Sequence, residues 1–151
     1  MNRKLLRSVR EYKKESIMTP ILVIFEVFME VLIPLLMARI IDVGIADGDM
    51  GYILRIGVLL VVMAMVSLFF GAMAGRMGAI ASSGYAKNLR HDIFYKIQEF
   101  SFKNIDHFST SSLVTRLTTD ITNIQMAYMM TIRMLVRAPI MIVLSLIMTL
   151  T

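Results

Sequence analysis

The chain has no cysteine, which excludes disulfides and thiolate metal sites. His91 and His107 are its only imidazoles, and they stand too far apart for a short zinc motif. No glycine follows Gly84, and Gly-x-x-x-x-Gly-Lys-Ser/Thr occurs nowhere. A phosphate-cradling loop is therefore absent from this stretch. No Ser/His/Asp set carries a readable local signature, so no catalytic residue is expected here. Proline is missing between Pro34 and Pro139, and nothing in that interval forces a helix to stop. No strand pattern is convincing, and the fold class expected is an all-α membrane protein.

What is present is hydrophobic. Of 151 residues, 57% are apolar, and the mean hydropathy is +0.70, a value soluble domains rarely reach. The apolar residues are blocked into long runs. Residues 56–75 carry no charge at all, enough to cross a hydrocarbon core roughly 30 Å thick. A third run, 138–150, is too short to span unless it extends a helix already under way, and the chain reads as the front part of something larger. The net charge of +5 sits at the flanks of these runs. That is the pattern of membrane topology, and no nucleic-acid partner is expected.

Charge placement sets the expected orientation. Residues 1–15 hold Arg3, Lys4, Arg7, Arg10, Lys13 and Lys14, with Leu5, Leu6, Val9 and Tyr12 at helical spacing. They predict an interfacial helix on the cytoplasmic leaflet. A cleaved signal peptide fits less well, because Glu26 and Glu30 interrupt the following apolar run. The first span is expected over 16–43, with Thr19-Pro20 resembling a helix start and Pro34 a kink. Residues 44–51 are acidic and free of Lys and Arg, and are placed outside, which leaves the N-terminus cytoplasmic.

The second helix is expected over 52–107. At about 1.5 Å per residue it would measure on the order of 80 Å, so much of it stands in water beyond the lipid. Asp92 and Lys96, and Glu99 and Lys103, are spaced for ion pairs along its surface. A hydroxyl-rich break at 108–112 suits helix capping, with a loop over 108–117. After the break a further helix is expected, with Leu113, Leu117, Ile121, Ile124 and Tyr128 on its apolar stripe, and from 118 to 151 it returns toward the membrane through Arg133 and Arg137.

Three groups invite function. Glu26 and Glu30 share a helix face inside the first span. Either they line a cavity that meets a polar or cationic substrate, or they are protonated or paired with another helix. Gly71, Gly75 and Gly78 form a small-residue stripe for helix packing. Met126, Met130 and Met134 repeat every four residues beside Met129, suited either to ordinary packing or to an adaptable binding face.

One segment carries a resemblance. Leu89-Arg90, Phe94, Phe108, Leu113, Arg116-Leu117 and Asp120, with Arg39-Ile-Ile-Asp42-x-Gly44-Ile45 upstream, resemble the ATP-binding cassette (ABC) exporters with six-helix transmembrane domains. The bacterial multidrug and lipid branch is the most similar in flavour. The resemblance covers nearly the whole chain. Serine stands at Ser111, near where many members have glycine, and only three of six spans are here.

The resemblance implies that Thr110, Ser111, Ser112, Leu113, Val114, Arg116 and Leu117 belong to a coupling helix that docks on a nucleotide-binding domain. It implies further partners: membrane lipids, a second half-transporter, identical or different, and a lipophilic small-molecule substrate. No cofactor is expected on this chain, whereas ATP and magnesium are implied for the whole transporter, in a bacterial plasma membrane. Two other readings stay open on the residues alone. One is a small helical membrane subunit that acts by association; the other is a carrier using Glu26 and Glu30 as cation or proton sites.

Overall fold

The computed structural model describes residues 8–98 and 115–150, with backbone only at Arg116 and Leu150. Three long helices carry the fold: α1 (Lys13–Arg39), α2 (Met50–Gln98) and α3 (Ile121–Leu150). No strand forms among the described residues. All three are long and apolar enough to cross a membrane. Almost none of their most apolar stretches is buried inside the chain, so those surfaces stand open to lipid or to further helices.

α1 and α2 form an antiparallel hairpin. α1 runs on through a π-helical turn, Ile40–Ile45. Gly48 then turns the chain in the left-handed region, at φ 65°, where glycine carries no Cβ penalty. Asp49 caps α2: its Oδ1 accepts from the Tyr52 N–H at 3.1 Å. The two helices close at Tyr12, Thr19 and Glu26, seven residues apart, against Gly84, Gly78 and Gly71. A Cβ built on Gly71 would lie 2.9 Å from Glu26 Oε1, and one on Gly78 would lie 3.4 Å from Thr19 Cγ2. At Gly84 it would run into the Tyr12 ring. Small residues on α2 thus receive side chains of α1, the geometry by which helices approach in lipid.

α3 lies parallel to α1 and antiparallel to α2, and two apolar clusters join the three helices. Midway, Val23, Val27 and Ala74 are buried against Ile140, Met141 and Leu144. Toward the basic end, Val9, Tyr85, Ala86, Leu89 and Ile121 are buried, with Ile93, Leu117 and Tyr128 packed around them. The Tyr85 and Tyr128 rings stack at 4.5 Å, and burial, followed by the neighbouring Tyr128, pushes the Tyr85 phenol above its ordinary range.

The N-terminal segment departs from expectation. Over 8–15 there is no single interfacial helix. Arg10 takes φ 39°, Arg10–Tyr12 form a 3-10 turn, and α1 then runs unbroken from Lys13 into the apolar span. The expected boundary at 15/16 falls inside α1, and Thr19-Pro20 starts no helix. Ser16 and Thr19 instead bond back to the carbonyls of Tyr12 and Glu15, as hydroxyls do inside a helix. Val9 and Tyr12 face α2, because Tyr85, Leu89 and the bare edge of Gly84 give them an apolar seat within the protein.

α2 spans 49 residues without interruption, about 74 Å at helical rise. Its expected continuation to 107 and the hydroxyl-rich break lie outside the described residues.

Candidate functional site

The charged group that decides the site is Arg137. It projects from α3 and lies between two carboxylates of α1. Nη2 sits 2.9 and 2.8 Å from the two oxygens of Glu30, and Nη1 sits 3.4 Å from Glu26 Oε1. One guanidinium thus serves two acids one helical turn apart. Glu26 and Glu30 both meet another helix through Arg137, and Glu26 borders a groove as well. The planar fork of donors on a guanidinium serves two carboxylates in a way a lysine ammonium does not. The Glu26 side chain is 15% exposed, and its Oε2 is buried without a hydrogen-bond partner. A carboxylate in this setting depends on its remaining contact.

Two grooves flank this cluster. One, of about 390 Å³, is lined by Val23, Met129, Met130, Arg133, Met134 and Arg137. The other, of about 500 Å³, is lined by Glu26 of α1, Ala64, Ser67, Leu68 and Gly71 of α2, and Arg133 of α3. Met130 and Met134 are exposed to about the same degree, 61% and 64%, so the methionine stripe faces outward from the three-helix core. Its flexible thioethers make an adaptable apolar floor.

Below the spans, the extensions of α2 and α3 are tied together. Arg90 Nε donates to the Leu117 carbonyl at 3.2 Å, and Gln125 Nε2 donates to Ser83 Oγ at 3.2 Å. The N-terminal turn is fastened to the same region. Asn88 Nδ2 donates to the Ser8 carbonyl at 2.9 Å. Ser8 Oγ donates to Asp92 at 2.8 Å, and Arg10 meets the other Asp92 oxygen at 2.7 Å. Ser16 Oγ and the Tyr128 hydroxyl lie 2.8 Å apart. Asp92 therefore serves the N-terminal strap rather than only the surface pair with Lys96 that local spacing predicts. Sequence reasoning missed this strap, since its partners are 80 or more positions apart.

Residues 16–151 match the family described as ABC transporter transmembrane region. The chain belongs to that family. It is also 34% identical, over 92% of its length, to "Uncharacterized ABC transporter ATP-binding protein YfiB" of Bacillus subtilis (strain 168), of which it covers 24%. It is 30% identical, over the same share, to "Uncharacterized ABC transporter ATP-binding protein Rv1273c" of Mycobacterium tuberculosis (strain ATCC 25618 / H37Rv), again covering 24%. The chain thus spans about a quarter of the length of the curated relatives it matches.

For an ABC transporter transmembrane region, the three apolar helices make this a multi-pass membrane chain. Thr110, Ser111, Ser112, Leu113 and Val114 of the expected coupling helix lie outside the described residues. Arg116 opens a π-helical turn, Arg116–Asp120. Leu117 is partly buried against the cluster of Val9, Tyr85 and Ile121. Of the glycine stripe, Gly71 and Gly78 meet α1, whereas Gly75 has nothing within 4 Å of its missing Cβ. Gly84, outside that stripe, makes the closest approach. Its signal in the sequence is the seven-residue step from Tyr12 to Thr19 to Glu26, which pairs with small positions on α2.

Proposed function

We propose that this chain is the transmembrane part of a bacterial ABC exporter, in which a nucleotide-binding domain hydrolyses ATP and the spans move a lipophilic molecule outward by alternating access. The basic N-terminal end is cytoplasmic and the acidic turn at 46–49 faces out. A second half-transporter completes the cavity.

The observation that supports this most strongly is the length of α2. A bilayer core takes about 20 helical residues, and α2 has 49. Beyond the charge-free run, residues 76–98 project about 35 Å past the lipid, tied to α3 by Arg90, Gln125 and the Tyr85–Tyr128 stack. Such a stalk carries motion between a soluble motor and the spans. It has no use in a carrier gated by Glu26 and Glu30, which Arg137 already occupies.

The test is a cysteine at Ser111 in the full-length protein. It should crosslink to a cysteine on the nucleotide-binding domain, and proteoliposomes should export a lipophilic dye only with ATP. No crosslink in any nucleotide state, with dye movement indifferent to ATP, would contradict the proposal.

A further inference from the structure

Arg133 stands one turn before Arg137 on α3, and the two differ in one respect. Arg137 has two carboxylates. The Arg133 side chain has neither a hydrogen bond nor a carboxylate oxygen within 4.0 Å among the described residues. It is half-buried, its Cδ packed near Gly78, and it borders both grooves. A partly desolvated guanidinium without a counter-ion is costly at the edge of a membrane span. Arg137 engages Glu30 and one oxygen of Glu26, and Glu26 also borders the second groove beside Arg133 without contacting it.

The larger surroundings are apolar. Val23, Met129, Met130 and Met134 line the groove beside Arg133, and Met130 and Met134 are more than half exposed. The groove therefore offers one guanidinium without a direct ion pair at the end of a deformable apolar floor. An occupant with the complementary shape has one anionic headgroup and one flexible hydrocarbon chain.

We infer that this groove binds an anionic amphiphile, its carboxylate or phosphate on Arg133 and its chain along the methionines, and that this is the class of molecule transported. The inference deepens the exporter reading and rests on it for the word transported. Binding itself needs no ATP.

The experiment uses the full-length transporter in nanodiscs of phosphatidylcholine, with a diazirine-bearing hexadecanoic acid as probe and its methyl ester as the uncharged control. Photolabelling is mapped by mass spectrometry. The acid should label the stretch around Met129–Met134, and the ester should not. Arg133→Met should lower labelling about tenfold or more, the scale of one charge-assisted hydrogen bond, and Arg133→Lys should restore part of it. Melting of each variant checks that it folds. Equal labelling by acid and ester, or by wild type and Arg133→Met, overturns the inference. So does a disulfide between cysteines at Arg133 and at an acidic residue of the remaining spans, because a protein carboxylate would then fill the place. ATP with magnesium should deplete the label from the groove. If phosphatidylglycerol blocks the probe and turnover never clears it, the occupant is a fixed lipid and not a substrate. A groove that binds the acid in a protein that exports nothing would sink the exporter reading alone.

Discussion

Arg137 grips Glu30 through both carboxylate oxygens, at 2.9 and 2.8 Å, from a helix 107 positions away in sequence. This contact, with the longer one to Glu26, fixes the rotation of α3 against α1 at the level where the two grooves begin. Removing Arg137 leaves two acids facing one another without a cation. Arg137→Met should therefore destabilise the protein more than Glu30→Gln. The loss should be a few kcal/mol, below the roughly 3–5 kcal/mol of a fully buried pair, because Arg137 remains 36% exposed. Thermal melting in detergent measures both, and the exchanged pair Arg137→Glu with Glu30→Arg should recover part of the loss.

The glycines make a graded prediction. Gly84→Ala places a methyl group against the Tyr12 ring, which cannot yield without moving the N-terminal turn. Gly75→Ala meets nothing within 4 Å, and should be neutral or stabilising by up to about 1 kcal/mol, the helix-propensity gain. Gly71→Ala should fall between them, since it pushes on a Glu26 carboxylate held by Arg137. Melting temperatures in that order support this closure of the hairpin.

The strap is expected to open locally. Asn88→Leu orphans the buried Ser8 carbonyl, a loss of about 1–3 kcal/mol. Asp92→Asn weakens an exposed pair worth at most about 1 kcal/mol. Hydrogen exchange over residues 8–16 should rise strongly in the first variant and slightly in the second, with the span of α2 unchanged.

Orientation can be read directly, since the chain has no cysteine of its own. A cysteine at Asp47 should react with an impermeant thiol reagent outside intact cells, and one at Ser101 should not. The reverse pattern would overturn the proposed topology.

Much of this fold was legible because its signals are local. Charge-free runs, the acidic turn and an uninterrupted helical period need only a short window of sequence. The motif around Leu89–Asp120 added the family. What was not legible depends on pairing across the chain. Arg137 reads as one more basic flank until α3 is laid beside α1. Asp92 looks like the partner of Lys96 because four-residue spacing is visible, whereas the approach of Ser8 and Arg10 is not. Gly75 shares the four-residue spacing of Gly71, yet the side chains of α1 meet Gly71 and Gly78, seven residues apart. Thr19-Pro20 has the composition of a helix start, but packing of Val9 and Tyr12 against α2 begins α1 earlier.

The central claim is that α2 is one stiff rod from the lipid to the far end of the stalk. Spin labels at Leu68 and Phe94, both exposed, measure it by pulsed dipolar spectroscopy on the full-length protein in nanodiscs. The account predicts a narrow distribution centred at about 39 Å, the helical rise over that interval, unchanged by nucleotide. A broad distribution, or a much shorter distance from a bend at the membrane edge, would contradict it.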